Sequence, residues 1–372
     1  MISTLSHRKG PPDYAIDGET DEKTKDPKKV KEIYLKEGTI FLKKKLQPPG
    51  PEEETEAKYE PTPSLSPREN KIHTLPTGNT ILPQWWKEIY NRNAKGVDTG
   101  TWDGLMRDIT RDELEATIKS AEGKKAPGYD GVTIDLIKLL MEEPGPLCEI
   151  LTILINAAFR AGASLPSWRK AVITMIPKKK EDGKWTEKVR DMRPISVLQE
   201  FGKIASKILA TRVGDRILAN PSVLNSAQRA FLKDGCIQQC INTALNVFED
   251  FKDKKAKDKQ LFVISYDQEK AYDSVQAYTI KASLERFNMP EDFIQFVLSG
   301  LDQATSCFKT FYGLTEDFKV ETSVRQGDPL SPLIYIFVVD ALHEDGKTTP
   351  STVGETGYCF SNDKTLTISS TG

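Results

Sequence analysis

The stretch Leu261-Phe-Val-Ile-Ser-Tyr-Asp267 constrains this chain most, because a nearly unbroken apolar run ends there on a carboxylate. Its length and β-branching suit a buried central strand, since a half-exposed strand would alternate apolar with polar residues. A carboxylate at the end of such a strand is costly unless it is paired or bound to a cation. A second acid, Asp273, follows shortly after, beside Tyr272. Oxygen donors of this kind suit Mg²⁺, which takes one or two carboxylates together with substrate phosphates. An aspartate that merely caps the next helix is the plainer alternative. Spacing alone leaves both open.

Around this strand, helical and extended patterns mix without strict alternation, which favours an α+β fold. Thr110-Arg-Asp-Glu113 is a capping box opening a helix. Leu147, Ile150, Leu151, Leu154, Ile155 and Ala158 repeat at helical spacing, with Gly162 as the stop. Ala171 to Ile176 reads as a strand, followed by a lysine-rich turn and a second strand. Two further helices are expected from Ile204 to Ile217 and from Ile237 to Phe251. Others are expected from Asp273 to Asn288 and through Leu342, with a hairpin between Phe308 and Val320.

Residues 1–70 differ in kind. They carry 13 Lys/Arg, 14 Asp/Glu and 9 of the 22 prolines, with apolar residues concentrated in a short island from Ile33 to Leu42. Such a segment buries too little surface to offset its ordering entropy. The expected organisation is therefore a disordered charged arm over 1–75, with one short helix. A helical extension over 76–164 and a main domain over 165–372 follow it.

Net charge is −2, from 52 Lys/Arg against 54 Asp/Glu, so any nucleic-acid surface must be local. One stretch qualifies. From Leu165 to Arg216 there are 13 Lys/Arg and 6 Asp/Glu, including Lys178, Lys179, Lys180 and Lys184 with Trp185 beside them. Such a hairpin could hold a triphosphate or a nucleic-acid backbone; a solvated basic surface is the alternative. Arg193, held by the following proline, could grip phosphate bidentately. In Arg325-Gln326-Gly327-Asp328-Pro329, a glycine beside a long amide at a helix start lets backbone approach a flat ligand. The five cysteines make no metal pattern, and no apolar run nears the roughly 18 residues that span a bilayer. With no apolar signal segment at the N-terminus, the expected location is intracellular, in nucleus or cytoplasm, without membrane contact.

Together these segments resemble the reverse transcriptase of non-LTR (LINE-type) retrotransposons. Lys125-Ala-Pro-Gly-Tyr-Asp-Gly131 is similar to an upstream element of that family. Ile176-Pro-Lys-Lys through Met192-Arg-Pro-Ile-Ser196 resembles its two fingers motifs. Tyr266-Asp-Gln-Glu-Lys-Ala-Tyr-Asp273 resembles the first palm motif, and Arg325-Gln-Gly-Asp-Pro-Leu-Ser-Pro332 the second. The resemblance implies right-hand polymerase fingers and an incomplete palm with a ferredoxin-like sheet. It makes Asp267 the catalytic metal ligand and Tyr272 the ring that crowds the sugar 2′ position. Arg193, Lys178 and Lys179 would hold the triphosphate, and Gln326 and Gly327 would shape the nucleotide pocket. Lys180, Lys184 and Arg325 would meet nucleic acid. Two Mg²⁺ ions, an RNA template, a DNA primer and deoxynucleoside triphosphates come with the family. No dedicated protein partner is implied.

The chain departs from the pattern at the third palm motif, an aromatic-x-Asp-Asp turn. No Asp-Asp dipeptide occurs; the nearest candidate is Phe360-Ser-Asn-Asp363, which puts Asn362 in the leading acid's place and leaves Asp363 as the weaker metal ligand. Only nine residues follow Asp363, so a thumb is expected to be absent. The expectation is a poor polymerase. A non-catalytic RNA-binding remnant of a retroelement, or a fragment without stable fold, is the alternative.

Overall fold

The computed structural model describes residues 11–43, 72–74, 81–83, 90–142, 146–179, 183–233, 235, 237–253, 261–268, 271–302, 304–320, 324–348, 356–361 and 364–370. They divide into two units. One comprises Met1–Glu56, Met106–Ile208 and Glu291–Ser331, the other Ala57–Leu105, Leu209–Pro290 and Pro332–Gly372.

The first unit is built on a mixed sheet ordered Phe318–Lys319, Thr305–Thr310, Lys170–Ile176, Arg193–Leu198, with Gly313–Leu314 added on Thr305–Thr310. Lys170–Ile176 runs parallel to Thr305–Thr310 and antiparallel to Arg193–Leu198. Strand residues two apart share a face, so Ile173 and Met175 point the same way, and they join Phe308 in one buried cluster. The helix Pro27–Lys43 completes that cluster with Val30, Ile33 and Tyr34, spaced three and four apart on one side. The short helix expected in the N-terminal arm is thus present and longer than the apolar island that suggested it. A small hairpin, Ala15–Ile16 with Lys23–Thr24, precedes it. Composition hid this packing because the surface that receives the three side chains comes from residues 170–192 and 308.

Other helices of this unit match their signals. Thr110 Oγ1 accepts the Glu113 amide and caps Arg111–Lys119. Pro146–Arg160 ends at Gly162, whose φ of +55° suits a residue without Cβ. Ile134–Glu142 and Glu291–Leu301 complete the set, with Phe159 edge-on to Phe296 at 5.5 Å.

The second unit holds an antiparallel sheet ordered Thr356–Ser361, Lys364–Ser370, Leu261–Asp267. The expected strand is present. Among the described residues its one partner is Lys364–Ser370, so it lies at an edge of this sheet rather than in its centre. The helix expected from Asp273 to Asn288 is two pieces, Ala271–Ser274 and Ala277–Arg286, because Gln276 is extended (φ −100°, ψ 152°). Trp102, Phe287 and Phe337 form an aromatic core, with the Trp102 indole donating to the Phe287 carbonyl at 2.8 Å. Beside it Asp340, fully buried on the Ser331–Thr348 helix, accepts from Arg286 (2.7 Å), Lys95 (3.0 Å) and the Asn225 amide (2.7 Å). No helix among the described residues is long and apolar enough to cross a membrane.

Candidate active site

The second unit carries the candidate catalytic acid. Asp267 is the last residue of its strand, and its register partner is Lys364, the first residue of the returning strand. That strand pairs in turn with Thr356–Ser361, where Ser361 faces Thr365. The sequence between them is Asn362-Asp363, so the candidate third motif connects two strands, one of which begins opposite Asp267. Asn362 and Asp363 themselves lie outside the described residues, as does Lys180. Among the described residues, no group of three or more His, Cys, Asp or Glu gathers to hold a metal ion.

Tyr272 sits in the short helix after Asp267, half-buried. Its ring stacks on Tyr335 at 4.9 Å and 13°, and meets Phe231 edge-on at 6.5 Å. The Tyr335 hydroxyl donates to Gln268 Oε1 at 2.7 Å, tying the residue after Asp267 to the ring beneath Tyr272. Sequence reading missed Tyr335 and Phe231. The signals available were an aromatic on an apolar helix that also carries Phe337, and another in a turn, which by themselves suggest only core.

The first unit carries the candidate triphosphate grip. Arg193 opens its strand, is exposed, and is the register partner of Ile176, so the start of Ile176-Pro-Lys178-Lys179 lies alongside it. Lys178, Lys179, Lys184 and Trp185 are all exposed, and positions 179 and 185 form a β-bridge. The Lys178 carbonyl accepts both the amide (2.8 Å) and the hydroxyl (2.9 Å) of buried Thr186, which closes the base of this lysine hairpin.

The Gln326-Gly327 loop is fixed against the same strand. The Ser196 amide donates to the Gln326 carbonyl at 2.9 Å. Gly327 has φ +126°, and a Cβ on it would lie 2.2 Å from the Ser196 carbonyl oxygen, so only glycine allows this approach. Two sequence motifs far apart in the chain thus meet through backbone. Gly128, from the upstream element, makes a similar approach: a Cβ there would sit 2.9 Å from the Gln199 backbone.

Arg325 departs from its expected role. It is 7% exposed, and its guanidinium donates inward to the Arg169 carbonyl, so the side chain holds the loop rather than meeting nucleic acid. Burial pushes its pKa down to about 10, still charged at neutral pH. Asp328 accepts from the Leu330 amide (2.8 Å) and Ser206 hydroxyl (3.2 Å), and burial pushes its carboxyl above the usual range.

The sequence is similar to known reverse transcriptases. The family described as reverse transcriptase (RNA-dependent DNA polymerase) matches residues 176–371. A retrovirus-related Pol polyprotein from a type-2 retrotransposable element of Drosophila melanogaster is 26% identical over 288 residues, covering 75% of this chain and 25% of the relative. A probable RNA-directed DNA polymerase from transposon BS of the same fly is 25% identical over 256 residues, 68% of this chain and 27% of that one. The chain therefore spans about a quarter of the length of these relatives. Among solved structures, an apo telomerase from Candida tropicalis aligns with a TM-score of 0.38 at 16% identity, over 56% of this chain and 45% of that chain.

Proposed function

The chain belongs to the reverse transcriptase family, and from that premise we propose that it carries the fingers and palm of an RNA-directed DNA polymerase, acting on an RNA template, a DNA primer and deoxynucleoside triphosphates. The observation that supports this most is the register of Asp267 against Lys364, which sets the first palm motif beside the candidate third one. Arg193, Lys178 and Lys179 bind the triphosphate by charge. Gln326 and Gly327 present backbone and amide to the base and template. Tyr272, backed by Tyr335, occupies the space a ribose 2′-hydroxyl would need. Lys180 and Lys184 meet the nucleic-acid backbone.

Divalent metal is general to the family, and bound Mg²⁺ would neutralise charge on the triphosphate and activate the primer hydroxyl. The donors fit it in part. Position 267 supplies one carboxylate, and position 363, one peptide step from its register partner, a second. Position 362 supplies a neutral amide, a weaker donor to a hard cation. The residues that would hold metal are therefore Asp267 and Asp363, a set that suits one ion with substrate phosphates better than a pair. Catalysis is correspondingly poor.

Primer extension on an RNA template tests the reading. Slow incorporation that rises with Mg²⁺ concentration and vanishes in Asp267→Ala is expected; incorporation indifferent to Asp267 overturns it. The exposed lysines and Trp185 of the 178–185 hairpin also suit a non-catalytic RNA-binding role. That role requires RNA affinity that falls steeply with salt and with Lys178→Glu and Lys179→Glu, while ignoring Asp267→Ala.

A further inference from the structure

The limb of the lysine hairpin that leads into Arg193 is held by a part of the chain that belongs to none of the polymerase motifs. The Tyr14 hydroxyl donates to Glu187 Oε1 at 2.7 Å. Asp21 pairs with Lys188. Glu37, on the Pro27–Lys43 helix and 6% exposed, uses both carboxylate oxygens. Oε1 accepts the Gly18 amide at 2.6 Å, and Oε2 accepts the Arg190 amide at 3.3 Å. Three neighbouring positions of one limb, 187, 188 and 190, are therefore tied to three positions of the N-terminal segment. Between and after them Val189 and Met192 are buried, at 1% and 2% exposure, in the cluster with Val30, Ile33 and Tyr34. On its other side the limb is tied through Thr186 to the Lys178 carbonyl.

Glu37 is the least replaceable part of this arrangement. It is a buried carboxylate whose acceptors face two backbone donors on segments that sequence separates by more than 150 residues. Gly18 must be small to let it in, because a Cβ there would fall 2.2 Å from Oε1. A solvated surface acid would need neither the burial nor the glycine.

We infer that Glu37 is a positioning residue for the triphosphate grip. Residues 11–43 act as a brace that fixes the 185–193 limb, and with it Arg193 and the base of the Lys178–Lys179 turn. The inference rests on the polymerase reading, which assigns those three cations to the triphosphate, and extends it to a segment outside every motif. The brace works by pre-organisation: a guanidinium already held in place loses less freedom when it grips a ligand.

The test uses the full chain on an RNA template annealed to a DNA primer ended with a dideoxynucleotide, so that dTTP binds with Mg²⁺ but is not incorporated. Glu37→Gln keeps the shape but turns an amide –NH₂ toward one of the two backbone donors. Loss of a charge-assisted hydrogen bond at that pivot is expected to weaken dTTP binding about tenfold. Hydrogen exchange should quicken at the Gly18 amide and across 186–193, while exchange in the strand Thr305–Thr310 stays as in the parent. Tyr14→Phe, which deletes only a hydroxyl, should move both readouts the same way by less. Unchanged dTTP affinity in a folded Glu37→Gln protein overturns the inference, as does exchange that leaves 186–193 untouched. A purely structural role lowers the melting temperature without changing affinity measured well below it. Should the parent not bind dTTP at all, the polymerase reading fails, and the exchange at 186–193 still decides whether the brace exists.

Discussion

Replacing Gly327 with alanine tests the backbone contact that joins the Arg193–Leu198 strand to the Gln326-Gly327 loop. The new Cβ would lie 2.2 Å from the Ser196 carbonyl oxygen, far inside van der Waals contact. That oxygen cannot swing aside freely, since Ser196 is paired in register with Ile173. The backbone would also hold alanine at φ +126°, a region L-residues rarely adopt, at a cost of about 1–3 kcal/mol. Relief requires the loop to withdraw, breaking the Ser196 to Gln326 hydrogen bond, about 1 kcal/mol more. Together these amount to about 2–4 kcal/mol. In a domain of this size that lowers the melting temperature by roughly 4–16 °C. Calorimetry or urea titration measures it, and dTTP affinity on a blocked primer should fall in step. A loss below about 0.5 kcal/mol, the level of an ordinary surface change, would show that the loop does not need this close approach.

Asp340→Ala removes the acceptor that buried Arg286 and partly buried Lys95 share, so urea denaturation should show a loss of about 3–5 kcal/mol. Asp328 has its pKa raised by burial, so the folded protein binds that proton more tightly than the unfolded chain. Its stabilising contribution is complete below the ordinary carboxylate pKa and is lost as pH rises through the raised value. Asp328→Asn, which keeps an acceptor for Leu330 and Ser206, should therefore raise the melting temperature at pH 7 and lose that advantage on acidification. Tyr272→Ala removes the stack on Tyr335, worth about 0.5–1.5 kcal/mol, and should reduce the preference for dTTP over UTP in the blocked-primer assay.

Local chemistry made much of this fold legible. The capping box at Thr110, the glycine stop at 162 and the apolar run ending at Asp267 each announce an element through interactions within a few residues, and each element is present. Contacts made across sequence were hidden. Val30, Ile33 and Tyr34 look too few to fold a charged arm until the sheet residues 173, 175 and 308 are placed under them. Arg325 looked like a nucleic-acid contact because composition cannot distinguish a solvated guanidinium from one turned toward Arg169. The site shows the same division: its motifs were readable as motifs, whereas Tyr335 under Tyr272 and Glu37 behind Arg190 exist only as three-dimensional neighbours.

Asn362→Asp gives the most direct measurement. On the polymerase reading, Asp267 stands opposite a returning strand whose preceding residues offer one carboxylate too few. Single-nucleotide extension on an RNA template at fixed Mg²⁺ should be near background in the parent and rise about a hundredfold in Asn362→Asp, roughly the effect of 2.7 kcal/mol of added charge stabilisation. The gain should disappear when Asp267→Ala is added. Brisk, Asp267-dependent extension by the parent, or no gain from Asn362→Asp, would mean that the missing carboxylate does not limit the chemistry.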